Sequence, residues 1–410
     1  MVNPTDRHRP GLLLIALAYV GFVSLGLPDA VIGVAWPSVR DAFRLPQGAA
    51  GLVFAASAAG YFATSFLSGR LTHALGIGVL LAASTALVAA AMFGFAFSPV
   101  WPLFVACAAA HGLGSGAIDA GLNGYAAHHL SARHMNWLHA CYCLGAMLGP
   151  LLMTAVLTSG RPYGTGYLAV GGVLAALAAV FLATGPRWGR ASATAGAAGP
   201  RVGTGEAIRH PAVLLQMAVF FLYTGLEMAL SQWAFTVLTE SRGVGRGPAG
   251  VAVGLYWGSI GVGRVVFGLV ADRVGIDRLL RYCLLAAAAG AALFAAPLPG
   301  WVAFAGLAVA GVGLAPVFPC LMTRTPRRLG PALSAHAIGF QVGAAMVGAA
   351  AVPGALGLIA GGVGLGAIPV GAAVLAGLVW LLHEGLTRRP DAASTNHLTA
   401  STAGPLPGTV

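Results

Sequence analysis

The sequence predicts an all-α integral membrane protein, with twelve transmembrane helices in two pseudo-symmetric six-helix halves. Three observations predict it. Only 8% of the 410 residues are charged and 58% are hydrophobic, whereas a soluble domain carries roughly a quarter charged residues. So few charges could not cover a water-soluble surface of this size. Apolar runs of about 20 residues, the length a helix needs to cross the hydrocarbon core, recur about twelve times. One polar stretch then divides the runs into six and six.

Taken in order, the runs cover 11–36, 47–69, 77–98, 101–126, 135–158, 164–184, 211–236, 249–271, 278–297, 301–323, 331–353 and 362–383. The first is too long for a signal-peptide core and lacks a clean small-residue cleavage site, so it reads as a mature span. The last two are dense in Gly and Pro, which membrane helices tolerate where neighbours satisfy the backbone. Arg187 to His210 is rich in Gly, Ala, Ser, Thr and Arg. It reads as a linker (187–210) between an N-terminal half (1–186) and a C-terminal half (211–390). The polar tail, 391–410, has the composition of a disordered segment.

All 22 basic residues are Arg, and the net charge is +11. They lie between apolar runs rather than in one basic domain, which argues against a nucleic-acid partner. With the N-terminus inside, sixteen Arg fall on inner loops and five (Arg40, Arg44, Arg161, Arg242 and Arg246) on outer ones. That bias places both termini in the cytoplasm, in a multi-pass protein of the cytoplasmic membrane. The five Cys form no zinc-type cluster and read as small apolar residues. No phosphate loop, hydrolase triad or metal site is present as a motif, so no enzyme is expected.

The halves echo each other. Gly69-Arg70-Leu71-Thr72-His73-Ala74-Leu75-Gly76 follows the second run, and Gly268-Leu269-Val270-Ala271-Asp272-Arg273-Val274-Gly275 follows the eighth. Paired halves around a midplane site are the architecture of many transporters.

Of eleven acidic residues, three remain inside apolar runs: Asp29, Asp119 and Glu227. An acidic residue at mid-membrane costs a few kcal/mol at least, and such residues usually face a cavity on an ion or proton pathway. The alternative is a structural carboxyl bonded to a neighbouring helix. Asp29 follows Gly26 and Pro28, in a segment expected to bend. Asp119 sits among small residues from Gly112 to Gly121, which let helices approach closely. At 1.5 Å per residue, Asp29 falls in the outer half and Asp119 in the inner half, as two stations on one route rather than a touching pair.

Other polar residues share faces with these. Asn123 lies one turn on from Asp119, and Tyr223 one turn before Glu227, with Gln232 and Trp233 beyond. Asn136, His139 and Tyr142 recur at helical spacing in the fifth run; His139 could relay protons or be a buried neutral histidine. Trp233, Tyr256 and Trp257 suit either sugar stacking or an interfacial belt. Gln341 is a candidate wall residue in the eleventh run.

Several of these segments resemble the fucose–proton symporter family of the major facilitator superfamily, which includes hexose transporters. The resemblance rests on Gly116-Ala117-Ile118-Asp119-Ala120-Gly121-Leu122-Asn123, on Asn136, His139 and Gly145, on Phe221 to Glu227 followed by Trp233, and on Tyr256-Trp257-Gly258 with Gly263-Arg264. Asp29 matches the family's first carboxylate position. Glu is usual at Asp119 and Gln at His139. The resemblance implies the major facilitator fold, with Asp119 as main proton carrier and Asp29 supporting recognition or proton delivery. It also implies a structural latch of Gly268, Asp272 and Arg273, whose N-terminal counterpart departs from the pattern at His73. The span-four Arg common in drug–proton antiporters is absent, since Ala108 to His111 occupy that stretch, while Gly149-Pro150 partly matches an antiporter motif.

The expected function is therefore proton-coupled secondary transport of a small polar, sugar-like solute by alternating access. Asn123, Asn136, His139, Tyr142, Tyr223, Glu227, Gln232, Trp233 and Gln341 are the expected substrate-binding residues. No cofactor is expected beyond the proton as coupling ion, although a carboxylate with nearby hydroxyls also suits sodium. The expected partners are a small-molecule substrate and the lipid bilayer, with the chain a monomer. Two rivals stand beside this reading: proton-coupled efflux of a drug-like or antibiotic compound, and a non-transporting membrane receptor or scaffold.

Overall fold

A computed structural model of the chain describes residues 11–130, 132–188 and 204–388. The middle of the expected linker and the whole of the expected tail lie outside them. Among the described residues, twelve helices are long and apolar enough to cross a membrane: Leu12–Phe43, Gln47–Leu75, Ile77–Phe97, Trp101–Ala127, Trp137–Thr158, Tyr163–Trp188, Pro211–Ser241, Arg246–Ala271, Ile276–Ala295, Gly300–Gly330, His336–Val363 and Ala367–Thr387. They are numbered here as spans one to twelve. The end of the bundle bearing Leu12, Trp188 and Pro211 is the linker end, and the opposite one the distal end.

Several boundaries differ from the sequence reading, and in spans one and eleven the helix runs through a proline. Span one does not stop at Trp36. It passes Pro28, turns slightly at Ala30 (φ −95°, ψ −5°) and continues through Pro37 to Phe43. A membrane helix survives proline when its neighbours take up the freed backbone groups. Span eleven runs past Pro353 to Val363 and ends only at Gly364, whose φ of 99° suits glycine alone. The break between spans ten and eleven is likewise a glycine, Gly330, at φ 75°.

Helix pairing repeats with an offset of six. Spans one and five, two and four, three and four, and three and six pack together. Spans seven and eleven, eight and ten, nine and ten, and nine and twelve repeat the pattern. Small residues make the close approaches. A Cβ at Gly26 would collide with the Tyr142 carbonyl, and one at Gly145 with that of Val23, so spans one and five interlock. Gly112 and Gly116 of span four sit equally tightly on the Ser57 and Tyr61 carbonyls of span two.

The halves meet along two seams and one crossing. Gly250, Gly254, Gly258 and Gly261 of span eight receive Thr154, Leu151, Met147 and Cys143 of span five. Spans two and eleven touch at Gly51 and Gly354. Spans one and seven cross where Gly33 abuts Gln232. At the distal end, Arg40 of span one donates to both carboxylate oxygens of Glu240, at 2.9 and 3.1 Å, and to Gln47. At the linker end, Asp277 opening span nine pairs with Arg324 and Arg328 closing span ten, and Arg281 pairs with Glu384 of span twelve.

Candidate functional site

The interlocked glycines aim two tyrosines at two carboxylates, and a third such pair forms within one helix. Because Gly26 and Gly145 draw spans one and five together, the Tyr142 hydroxyl reaches Asp29 Oδ2 at 2.9 Å. Because Gly112 and Gly116 draw span four onto span two, the Tyr61 hydroxyl reaches Asp119 Oδ2 at 2.6 Å. Asn123, one turn on, donates to Asp119 Oδ1 at 2.9 Å. In the C-terminal half, the Tyr223 hydroxyl donates to Glu227 Oε2 from the preceding turn of the same helix.

Asp29 faces the bundle interior. With span one extended to Phe43 it lies near the middle of its helix, rather than in the outer half as the shorter run suggested. His111 Nε2 of span four stands 3.3 Å from Asp29 Oδ1. The Asp29 carbonyl, at the turn after Pro28, accepts from Gln232 Nε2 of span seven at 3.0 Å. Asp119 lies closer to the linker end, so the two aspartates hold separate partners and do not touch.

Glu227 is buried, 6% exposed, and its counter-charge is Arg264 of span eight, with Nη2 3.7 Å from Oε1. Arg264 Nη1 donates across the seam to the His139 carbonyl at 3.3 Å. Tyr256 donates to the Glu227 carbonyl and Trp257 Nε1 to Ser231 Oγ. The Trp257 ring meets Tyr142 edge-on, centroids 5.8 Å apart. Asp29 and the Glu227–Arg264 pair thus sit beside the line where the halves meet, while Asp119 is held between spans two and four of the N-terminal half.

The other expected residues are placed as follows. The His139 ring packs edge-on against Phe22, and its backbone rather than its ring contacts Arg264. Trp233 is buried between the halves, its N–H on the Pro353 carbonyl at 2.8 Å and its ring edge-on to Phe54. The structure does not bring Gln341 to the carboxylates. It is fully buried and bonded to Gln216 and Thr325, between spans seven, ten and eleven. The side chains of Asn136 and Asp272 lie outside the described residues; Gly268 and Arg273 are exposed.

Four residues of the site escaped the sequence reading: Tyr61, His111, Ser57 and Ser115. Ser57 Oγ lies 3.1 Å from His111 Nδ1, and Ser115 Oγ 3.4 Å from His111 Nε2. Two signals were present. Residues 111, 115, 119 and 123 repeat every four along one helix face, and His111 occupies the stretch where an arginine was sought.

Known proteins share this architecture. The nucleoside transporter NupG superposes with a TM-score of 0.70 at 16% identity, over 90% of this chain and 98% of that one. A bacterial homolog of the human lysosomal transporter Spinster, inward-facing and occupied, gives 0.72 at 11% identity, over 92% and 96%. The E. coli fucose:proton symporter FucP gives 0.64 at 15% identity, over 92% and 99%. At these identities the likeness shows the fold alone. Bypass of stop codon protein 6 of Saccharomyces cerevisiae is 23% identical over 289 residues, 64% of this chain and 57% of the yeast protein. The chain thus spans a little over half the length of that relative. The sequence profile of the Major Facilitator Superfamily matches residues 18–353, and the chain belongs to that superfamily.

Proposed function

We propose that the protein is a proton-coupled secondary transporter that moves a small polar, sugar-like solute across the cytoplasmic membrane by alternating access. It works as a monomer with both termini in the cytoplasm and needs no cofactor. The observation that carries this reading is the set of hydroxyl-capped carboxylates inside the bundle. Asp119 holds a donor on each oxygen, Tyr61 on one and Asn123 on the other. Protonation places a donor on one of those oxygens and weakens it as an acceptor, which frees the group bound there for another acceptor. A solute hydroxyl is such an acceptor, which couples proton arrival to solute binding. The Arg bias of the linker-end loops supports the orientation.

Alternating access then rocks one half against the other. The glycine face of span eight against span five gives a smooth seam for that motion. Opening the distal end requires the Arg40–Glu240 pair to part. NupG and FucP, which share this fold, are a nucleoside transporter and a fucose:proton symporter.

A second reading, proton-coupled efflux of a drug-like compound, draws on one observation. A groove of about 640 Å³ between spans two and eleven is lined by Ala55, Ala59, Phe62, Val347, Ala350 and Ala351. It would suit an apolar compound entering from the bilayer.

The test is a screen of radiolabelled hexoses in proteoliposomes under an inward proton gradient, with a pH dye inside. Hexose accumulation with internal acidification is expected. Sodium-driven uptake without acidification, or no acidification with any hexose, overturns the proposal. Gradient-driven extrusion of a hydrophobic dye establishes the second reading.

A further inference from the structure

We infer that His111 is the proton-transfer residue between Asp29 and Asp119, an inference that rests on the proton-coupled reading above. Its ring meets Asp29 and the hydroxyls of two serines. Nε2 is 3.3 Å from Asp29 Oδ1 and 3.4 Å from Ser115 Oγ, and Nδ1 is 3.1 Å from Ser57 Oγ. Each serine leads on to Asp119. Ser115 precedes it by one turn on the same helix face, where side chains are neighbours at about 5–6 Å. Ser57 precedes Tyr61 by one turn on span two, and Tyr61 donates to Asp119. Polar groups thus run from Asp29 across the imidazole to two serines, each one helical turn short of Asp119 or of the Tyr61 that holds it.

The surroundings suit this role. Span one presents Asp29, and span four Ser115 with Asp119 one turn on. Span two presents the hydroxyls of Ser57 and Tyr61. Span five presents Tyr142, which holds the other oxygen of Asp29, and span seven presents the amide of Gln232 on the Asp29 carbonyl. The cation of this region, Arg264, faces Glu227 instead. His139, the sequence candidate for a relay, has its ring against Phe22.

The transfer balances. A protonated Asp29 gives its proton to Nε2, leaving a carboxylate and an imidazolium. The imidazolium then releases one N–H proton towards Asp119, each intervening hydroxyl accepting one proton and passing on another. Asp119 ends as a neutral acid and the imidazole is regenerated, with one proton moved. Imidazole does this near neutral pH, where a hydroxyl alone does not hold a proton.

The probe is the proton itself. Purified protein in detergent is dropped from about pH 8 to about pH 5, the range over which imidazole changes charge, and proton uptake is followed with pyranine in a stopped-flow cell. Asp119→Asn should remove one proton from the total. His111→Gln keeps the hydrogen bonds but carries no proton, and should slow uptake at Asp119 about a hundredfold, the lower range for a positioned acid–base group. The double variant Ser57→Ala with Ser115→Ala, which removes two hydroxyls and keeps the ring, should slow it as well. That variant decides the matter should His111→Gln fail to fold. Uptake at Asp119 within twofold of wild type in either variant overturns the role of His111. An unchanged proton total in Asp119→Asn overturns proton coupling itself, which is a separate result.

Discussion

Arg264→Met should be among the most damaging single changes outside the aspartates. Arg264 and Glu227 face each other at 3.7 Å in the packed interior of the C-terminal half. At an effective dielectric of about 20, unit charges at that distance attract by about 4.5 kcal/mol. Removing the guanidinium leaves a buried carboxylate with Tyr223 as its remaining side-chain donor. Breaking a buried pair from one side costs about 3–5 kcal/mol, whereas replacing both partners by neutral groups is often nearly neutral. The expected loss for Arg264→Met is therefore about 4 kcal/mol. Glu227→Gln combined with Arg264→Met should recover most of it. The assay is a double-variant cycle of SDS-induced unfolding in mixed micelles, read by circular dichroism. A cost below about 1 kcal/mol for Arg264→Met, the range of an exposed pair, would refute the reasoning. So would a double variant as unstable as the sum of the two singles.

Two further outcomes follow from the packing and the distal tie. Arg40→Gln removes a bidentate, half-buried link between spans one and seven, which should raise the population open at the distal end about fivefold, a shift of about 1 kcal/mol; spin-label distances between the distal ends of spans two and eleven would measure it, and an unchanged distribution contradicts it. Gly26→Ala places a methyl group against the Tyr142 carbonyl, so it should cost about 1–3 kcal/mol by overpacking and separate Tyr142 from Asp29. A crystal structure of the variant with that hydrogen bond intact would contradict the second part.

The spans were legible because hydropathy is a local property: each apolar run must be about as long as the bilayer is thick. The departures occur where a local breaker was overridden. Pro37 and Pro353 look like stops, yet span one runs on to Phe43 and span eleven to Val363. The carboxylates were legible too, since a charge in an apolar run stands out in one dimension. Their partners were not. Tyr61 sits in an ordinary apolar run, and nothing local says that it meets a residue on span four. Nothing local places His111 beside Asp29 of span one. Arg264 was noticed as a charge, but its partner depends on how spans seven and eight pack. Gln341 shows the opposite case. It has the chemistry of a wall residue, but Gln216 and Thr325 satisfy it inside the C-terminal half. Similarly, Glu240, Asp277 and Glu384 read as loop or span-end charges, and packing gives each an arginine from another helix.

The most direct measurement of proton coupling at Asp119 is hexose accumulation by Asp119→Asn in proteoliposomes, with internal pH recorded beside it. Asparagine keeps the size of the side chain and its place beside Tyr61 and Asn123 but cannot carry a proton. Gradient-driven accumulation should fall about a hundredfold, and internal acidification should disappear with it. An Asp119→Asn protein that still concentrates the hexose and acidifies the lumen at the wild-type rate would contradict the assignment.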